Sequence, residues 1–116
     1  MNKLFYYIYM MTNHYHTTIY TGVTSDLIKR TWQHKNHATE GFTSKYQLTK
    51  LVYYEIFEDI NSAIVREKQL KGGSRKQKVD LINKLNPKWQ DLYPTRLDDF
   101  SQVSHKYSQP GEIASS

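Results

Sequence analysis

The chain has 116 residues and no cysteine, enough for one domain with one modest core and nothing to support disulfides, thiolate zinc sites or cysteine nucleophiles. No run reaches the roughly eighteen apolar residues of a membrane helix, and the tyrosine-rich stretch from Leu4 to Met11 lacks the small-residue cleavage site of a secretory leader; the expectation is a soluble, cytoplasmic protein. The formal charge of +5 is uneven: residues 1–94 carry 14 Lys and Arg against 8 Asp and Glu, and residues 95–116 carry 2 against 3. A basic body attracts phosphate polyanions, although a solvated basic surface has the same composition.

The stretches Leu4–Met11 and Thr17–Val23 are rich in β-formers and read as two strands. Between them, Asn13-His14-Tyr15-His16 is a polar link of hairpin length, with His14 and His16 at a solvated tip. A symmetric loop would pair Thr12 with Thr17 and place Tyr9 directly opposite Tyr20, on one face of the sheet. A slip of one residue would move either ring to the other face.

Thr24-Ser25-Asp26 has the hydroxyls and acid of a helix start, and the helix is expected to run to about His37. Leu27, Ile28, Thr31, Trp32 and Lys35 form one side of it; Arg30, His34 and His37 form another. Residues 37–50 read as a long connection around Gly41, before a third strand at Lys50–Phe57. A second helix is expected over Asp59–Lys71, capped by Asp59 or Asn61, with an apolar stripe of Ile60, Ala63, Ile64 and Leu70. Glu67 falls inside that stripe. Gly72-Gly73 ends the helix. A third helix follows from Ser74 to Leu85, with Val79, Ile82 and Leu85 inward, and Asn86-Pro87 stops it. Trp89, Leu92 and Tyr93 then pack back onto the body. The order β-β-α-β-α-α implies an α+β fold, a small, mostly antiparallel three-stranded sheet flanked by about three helices. The expected organisation is a domain over residues 1–94 and a polar, weakly ordered tail over 95–116, where five serines and Pro110-Gly111 accumulate.

Several of these residues form an ordered set. Tyr7-Ile8-Tyr9 and Tyr20-Thr21-Gly22 are two half-motifs with ten residues between Tyr9 and Tyr20; Arg30 lies eight residues after Gly22, and Glu67 sits in REKQLKG. In this set, and in GVTSDLIKR, EGFTSKY and LVYYE, the chain resembles the GIY-YIG nuclease family, in particular its short stand-alone bacterial members. The resemblance spans about residues 4–93. It departs from the name motif at Tyr7, which replaces a glycine, and at Thr21, which replaces Ile or Val. Both are strand positions where the requirement is packing, and the reactive positions stay intact.

The resemblance implies metal-dependent hydrolysis of phosphodiester bonds, with DNA the expected partner, RNA left open as an alternative, and little base readout in so small a chain. It implies Mg2+ or Mn2+ held by Glu67, since a hard cation that keeps its waters needs few protein oxygens. Tyr9 resembles the general base, Tyr20 would orient water or phosphate, and Arg30 would hold two phosphate oxygens. His34, one turn after Arg30, stands where relatives carry histidine or tyrosine and could relay the phenol proton, because an imidazole titrates near neutrality. Cationic neighbours would lower the phenol pKa from about 10.

Each residue also has a plain structural role to set beside these. Tyr9 and Tyr20 can be strand packing, Glu67 an i, i+4 partner of Lys71, Arg30 a partner of Asp26, Gly22 a bulge and Asn86 a helix stop. Arg66, Lys68, Lys71, Arg75 and Lys76 read as a phosphate-backbone surface around Glu67, with Lys78 beside them and Lys45 a weaker addition; helix solubilisation is the alternative. The competing function is a nucleic-acid-binding module that keeps the scaffold without cutting. Against it stands Glu67, a carboxylate that would repel phosphate unless a cation lay between them. A protein partner cannot be read from the sequence.

Overall fold

The computed structural model of the chain describes residues 4–38, 41 and 45–93. The 95–116 tail and the centre of the 37–50 connection lie outside those residues. The described elements are β1 (Tyr6–Thr12), β2 (Ile19–Thr24), α1 (Leu27–Lys35), β3 (Lys50–Phe57), α2 (Ile60–Gly72) and α3 (Arg75–Leu85). This is the expected α+β order. The three strands form one antiparallel sheet in the order β2-β1-β3, with β1 in the centre.

The hairpin register differs from the symmetric-loop expectation. Tyr9 pairs with Gly22 and Met11 with Tyr20, a shift of two residues. Asn13 causes it: its Oδ1 accepts from the backbone N–H of Thr17 at 2.9 Å and of Thr18 at 3.1 Å, which draws both threonines into the loop. The Thr12 hydroxyl donates to the Thr18 carbonyl at 2.8 Å, and His16 takes a left-handed φ of 58° to complete the turn. Because side chains alternate with a period of two, a shift of two keeps Tyr9 and Tyr20 on one face, as diagonal rather than direct neighbours.

Each face of the sheet carries its own core. Tyr9, Met11 and Leu51 pack with Leu27 of α1 on one face; Ile8, Met10, Val52 and Tyr53 pack with Leu70 of α2 and Ile82 of α3 on the other. A β-bulge between Met10 and Met11 lets consecutive Val52 and Tyr53 join the same core. Helix caps follow the polar residues: Asp26 accepts from Lys29 N–H, Asp59 from Ser62 N–H, and Ser74 forms a reciprocal capping box with Gln77.

The inward stripe of α1 is Leu27, Thr31 and His34, following i, i+4, i+7. Trp32, expected inward, stands 51% exposed, about 100° further round the helix than Thr31. The helix ends at Lys35, and His37 is exposed in a left-handed conformation rather than extending the Arg30–His34 row. Ile60 and Leu85, also expected inward, are 38% and 45% exposed at the first and last positions of their helices.

After α3 the chain crosses the edge of β3. Buried Asn86 caps α3 and donates to the carbonyls of Val52 at 3.1 Å and Gln90 at 2.8 Å, a structural latch as well as a helix stop. Trp89 joins one core and Leu92 the other. The Leu92 N–H donates to the Leu51 carbonyl at 2.7 Å, while Asp91 accepts from Leu51 N–H and pairs with Lys35.

Candidate active site

Strand β1 brings Tyr9 to the α1 face, and α1 lays His34 against it. The two side chains are 2% and 4% exposed, and Tyr9 Oη lies 2.9 Å from His34 Nε2. Tyr20 completes a three-ring cluster, its centroid 6.2 Å from that of Tyr9 and 5.8 Å from that of His34. Gly22 makes room for it. A Cβ there would come within 2.6 Å of the Tyr9 Cζ and Oη atoms, so this position needs a glycine for close approach.

Charge frames the rings from two sides. The Arg30 guanidinium, one helical turn before His34, acts electrostatically on both Tyr9 and His34. Among the described residues it forms no ion pair, and Asp26, its anticipated partner, caps the helix instead. On α2, Glu67 lies on the flank toward the site, its side chain 14% exposed, and its charge also reaches Tyr9. The Lys71 ammonium pairs with Glu67 at 2.8 Å and lies 5.7 Å from the centroid of the Tyr20 ring. Tyr9, Tyr20 and His34 thus form one ring cluster on which Arg30 acts through its charge, and Glu67, on the helix that packs against the opposite face, approaches it through Lys71 beside Tyr20.

Their protonation differs from the sequence reading. Burial pushes the Tyr9 phenol well above its ordinary value; neighbouring Tyr20 adds to the rise, and Arg30 offsets only part of it. Cationic neighbours thus do not win against desolvation. His34 is lowered to about 4, first by burial and then by Arg30. The imidazole is neutral at pH 7 rather than poised to titrate there. The resting pair is a phenol hydrogen-bonded to a neutral imidazole.

Among the described residues, no group of three or more His, Asp or Glu converges as a metal-binding set. Cation-binding capacity at the site rests on the Glu67 carboxylate, which an ammonium already engages. One partly exposed carboxylate fits a hard divalent ion that keeps several waters and takes further oxygens from a phosphate.

The basic residues expected to form one phosphate surface are dispersed. Arg66 turns to the other flank of α2, where Nε and Nη2 each meet a Glu55 carboxylate oxygen at 3.0 Å. Arg75 donates to the carbonyls of His16 and Thr17, fastening α3 to the hairpin loop. Lys76 pairs with Asp80 at 2.8 Å, and Lys71 with Glu67. Lys68 is exposed on α2; Lys45 is exposed before β3, its ammonium 5.5 Å from the Tyr46 ring centroid. His16 is not simply solvated: its ring stacks on Trp89 and its Nε2 lies 2.9 Å from Lys50 Nζ. The Tyr53–Glu55–Arg66 cluster escapes the sequence reading, because Arg66 and Glu55 belong to different elements and follow no helical or strand spacing.

The chain is similar to several known proteins. Residues 5–85 match the family model described as the GIY-YIG catalytic domain. The chain is 35% identical over 66 residues to a UPF0213 protein of Staphylococcus saprophyticus, covering 57% of this chain and 80% of that protein. It is 39% identical over 66 residues to one of Clostridium perfringens, covering 57% and 71%. With a UPF0213 protein of Syntrophus aciditrophicus it shares 35% identity over 89 residues, 75% of this chain and 97% of that one. The solution NMR structure of a UPF0213 protein from Bacillus halodurans is 21% identical, with a TM-score of 0.49 over 87% of this chain and 98% of that chain.

Proposed function

This chain belongs to the GIY-YIG catalytic domain family, which is nuclease-type, and from that membership we propose that it is a divalent-metal-dependent endonuclease cutting phosphodiester bonds in DNA with little sequence preference. The observation that supports the reading most is the meeting of a buried Tyr9–His34 hydrogen bond with Tyr20, an Arg30 that forms no ion pair among the described residues, and the lone site carboxylate of Glu67.

In this reading the phenol of Tyr9 takes a proton from the attacking water as it passes its own to Nε2 of His34. The neutral imidazole is the form able to accept it, and the raised phenol is spared a standing charge in a buried place. Tyr20 orients the water or the phosphate. Arg30 grips phosphate oxygens with two donors. Glu67 would hold Mg2+ or Mn2+, which when bound polarises the phosphate and stabilises the leaving oxygen. Phosphate contacts beyond Arg30 fall to exposed Lys68 and Lys71, with Lys45, Arg66, Arg75 and Lys76 available where their internal ties permit.

Purified protein is assayed on supercoiled, linear, flapped and branched DNA with magnesium or manganese, beside Glu67→Ala. The expected result is metal-dependent cutting by the native chain and a loss of roughly a hundredfold or more in Glu67→Ala. Binding should persist or tighten slightly, and should weaken steeply with salt. A native chain that binds every substrate and cuts none identifies a non-cleaving binding module. A Glu67→Ala chain that cuts undiminished removes Glu67 from the site.

A further inference from the structure

Resting on that reading of Glu67, we propose that Lys71 is a tethered counter-ion that a divalent cation must displace, and that nucleic-acid phosphate draws it away, so that metal binding and substrate binding are coupled. The geometry supports this at three points. The Lys71 ammonium lies 2.8 Å from Oε2 of Glu67, the carboxylate that this reading assigns to the metal. It also lies over the face of Tyr20, 5.7 Å from the centroid, so two contacts draw it to the site side of α2. Its side chain is 50% exposed while that of Glu67 is 14% exposed, so the lysine has room to swing outward and the carboxylate stays in place.

The electrostatics follow directly. A divalent ion and an ammonium cannot share one carboxylate without strong repulsion at a separation of a few ångströms. In the free protein Lys71 therefore competes with the metal and weakens its binding. A phosphate backbone arriving beside α2 offers the ammonium another anion. Lys71 transfers to it, Glu67 is freed, and the metal binds more tightly. Coupling of this kind is reciprocal, so the metal must strengthen nucleic-acid binding by the same factor. Lys71 is in this sense a positioning residue, one that reserves metal loading for the substrate complex.

The test reads metal binding, not cleavage. Free Mn2+ is followed by its paramagnetic resonance signal in titrations of the native chain, Lys71→Met, Lys71→Arg and Glu67→Gln. Each is titrated with and without a short DNA duplex of nuclease-resistant phosphorothioate linkages. The native chain should bind Mn2+ weakly alone and at least about fivefold more tightly with the duplex, within the usual range of allosteric coupling. Lys71→Met should bind Mn2+ about fivefold more tightly than the native chain when alone, with the effect of the duplex reduced below about twofold. Lys71→Arg should behave as the native chain does, and Glu67→Gln should lose Mn2+ under both conditions. Mn2+ binding that depends on Glu67 but ignores Lys71→Met overturns this inference and leaves the proposed function standing. Mn2+ binding that ignores Glu67→Gln overturns both.

Discussion

Helix α2 has two flanks, and each meets a buried tyrosine and a carboxylate, to different ends. On the β3 side, Tyr53 donates to Glu55, whose two oxygens are also taken by the fork of Arg66. That cluster is closed: the carboxylate is fully engaged, and burial with the Glu55 hydrogen bond holds the Tyr53 phenol well above its ordinary value. On the β2 side, Glu67 has one flexible lysine, Tyr9 has a neutral histidine, and Arg30 has no ion pair among the described residues. A fork of hydrogen bonds between fixed groups suits positioning, here the rotation of α2 about its axis. A single-point pair with a half-exposed ammonium suits exchange of ligands.

The sharpest way to break this comparison is to remove one hydroxyl from each flank. Tyr9→Phe should lower the cleavage rate roughly a hundredfold or more with little change in DNA affinity, since it deletes the proton acceptor and preserves shape. Tyr53→Phe should leave the rate within about twofold and lower stability by about 1 kcal/mol, the net worth of one hydrogen bond. Equal rates for the two variants would show that the flanks do not differ in kind.

Acid tests the open flank next. His34 is lowered to about 4 in the fold against 6.5 in an unfolded chain. Between those values the unfolded chain binds the extra proton, so this contribution to stability is present above pH 6.5 and is lost as pH falls toward 4. Urea unfolding should show a loss on the order of 3 kcal/mol across that window, and His34→Gln should flatten it. A slope that survives the substitution would assign the acid sensitivity to another group.

Arg66→Met sharpens the closed flank. It leaves Glu55 and Tyr53 without the fork and should cost about 1–2 kcal/mol, the pair being only part-buried. DNA affinity should change by less than about threefold in Arg66→Met; a larger fall would place Arg66 among the phosphate contacts. The smallest effect belongs to Thr21. Its buried hydroxyl has no hydrogen-bond partner among the described residues, on the face packed by α2 and α3. Thr21→Val keeps the shape and should raise stability by about 1 kcal/mol, measured as a rise in the urea midpoint.

The element order, the cap at Asp59 and the helix start at Ser74 were legible in the chain, because each depends on local chemistry or short periodicity; Asp26, read as a first-turn acid behind hydroxyl caps, is itself the cap of α1, and Tyr9, Tyr20, Arg30 and Glu67 were set together by the family resemblance. Even the wrong hairpin register preserved the shared face of the two tyrosines, since strand parity survives a shift of two. Tertiary structure decided the rest. It turned α1 to bury His34 and expose Trp32, because the fit of a helix stripe onto a sheet depends on what the sheet presents. It sent Arg66 to Glu55 and Arg75 to the hairpin loop, pairings between elements that no spacing encodes. And it raised Tyr9 while lowering His34, because desolvation depends on how deeply the folded chain closes over a group: at Tyr9 burial outweighs the opposing charge of Arg30, and at His34 the two act together.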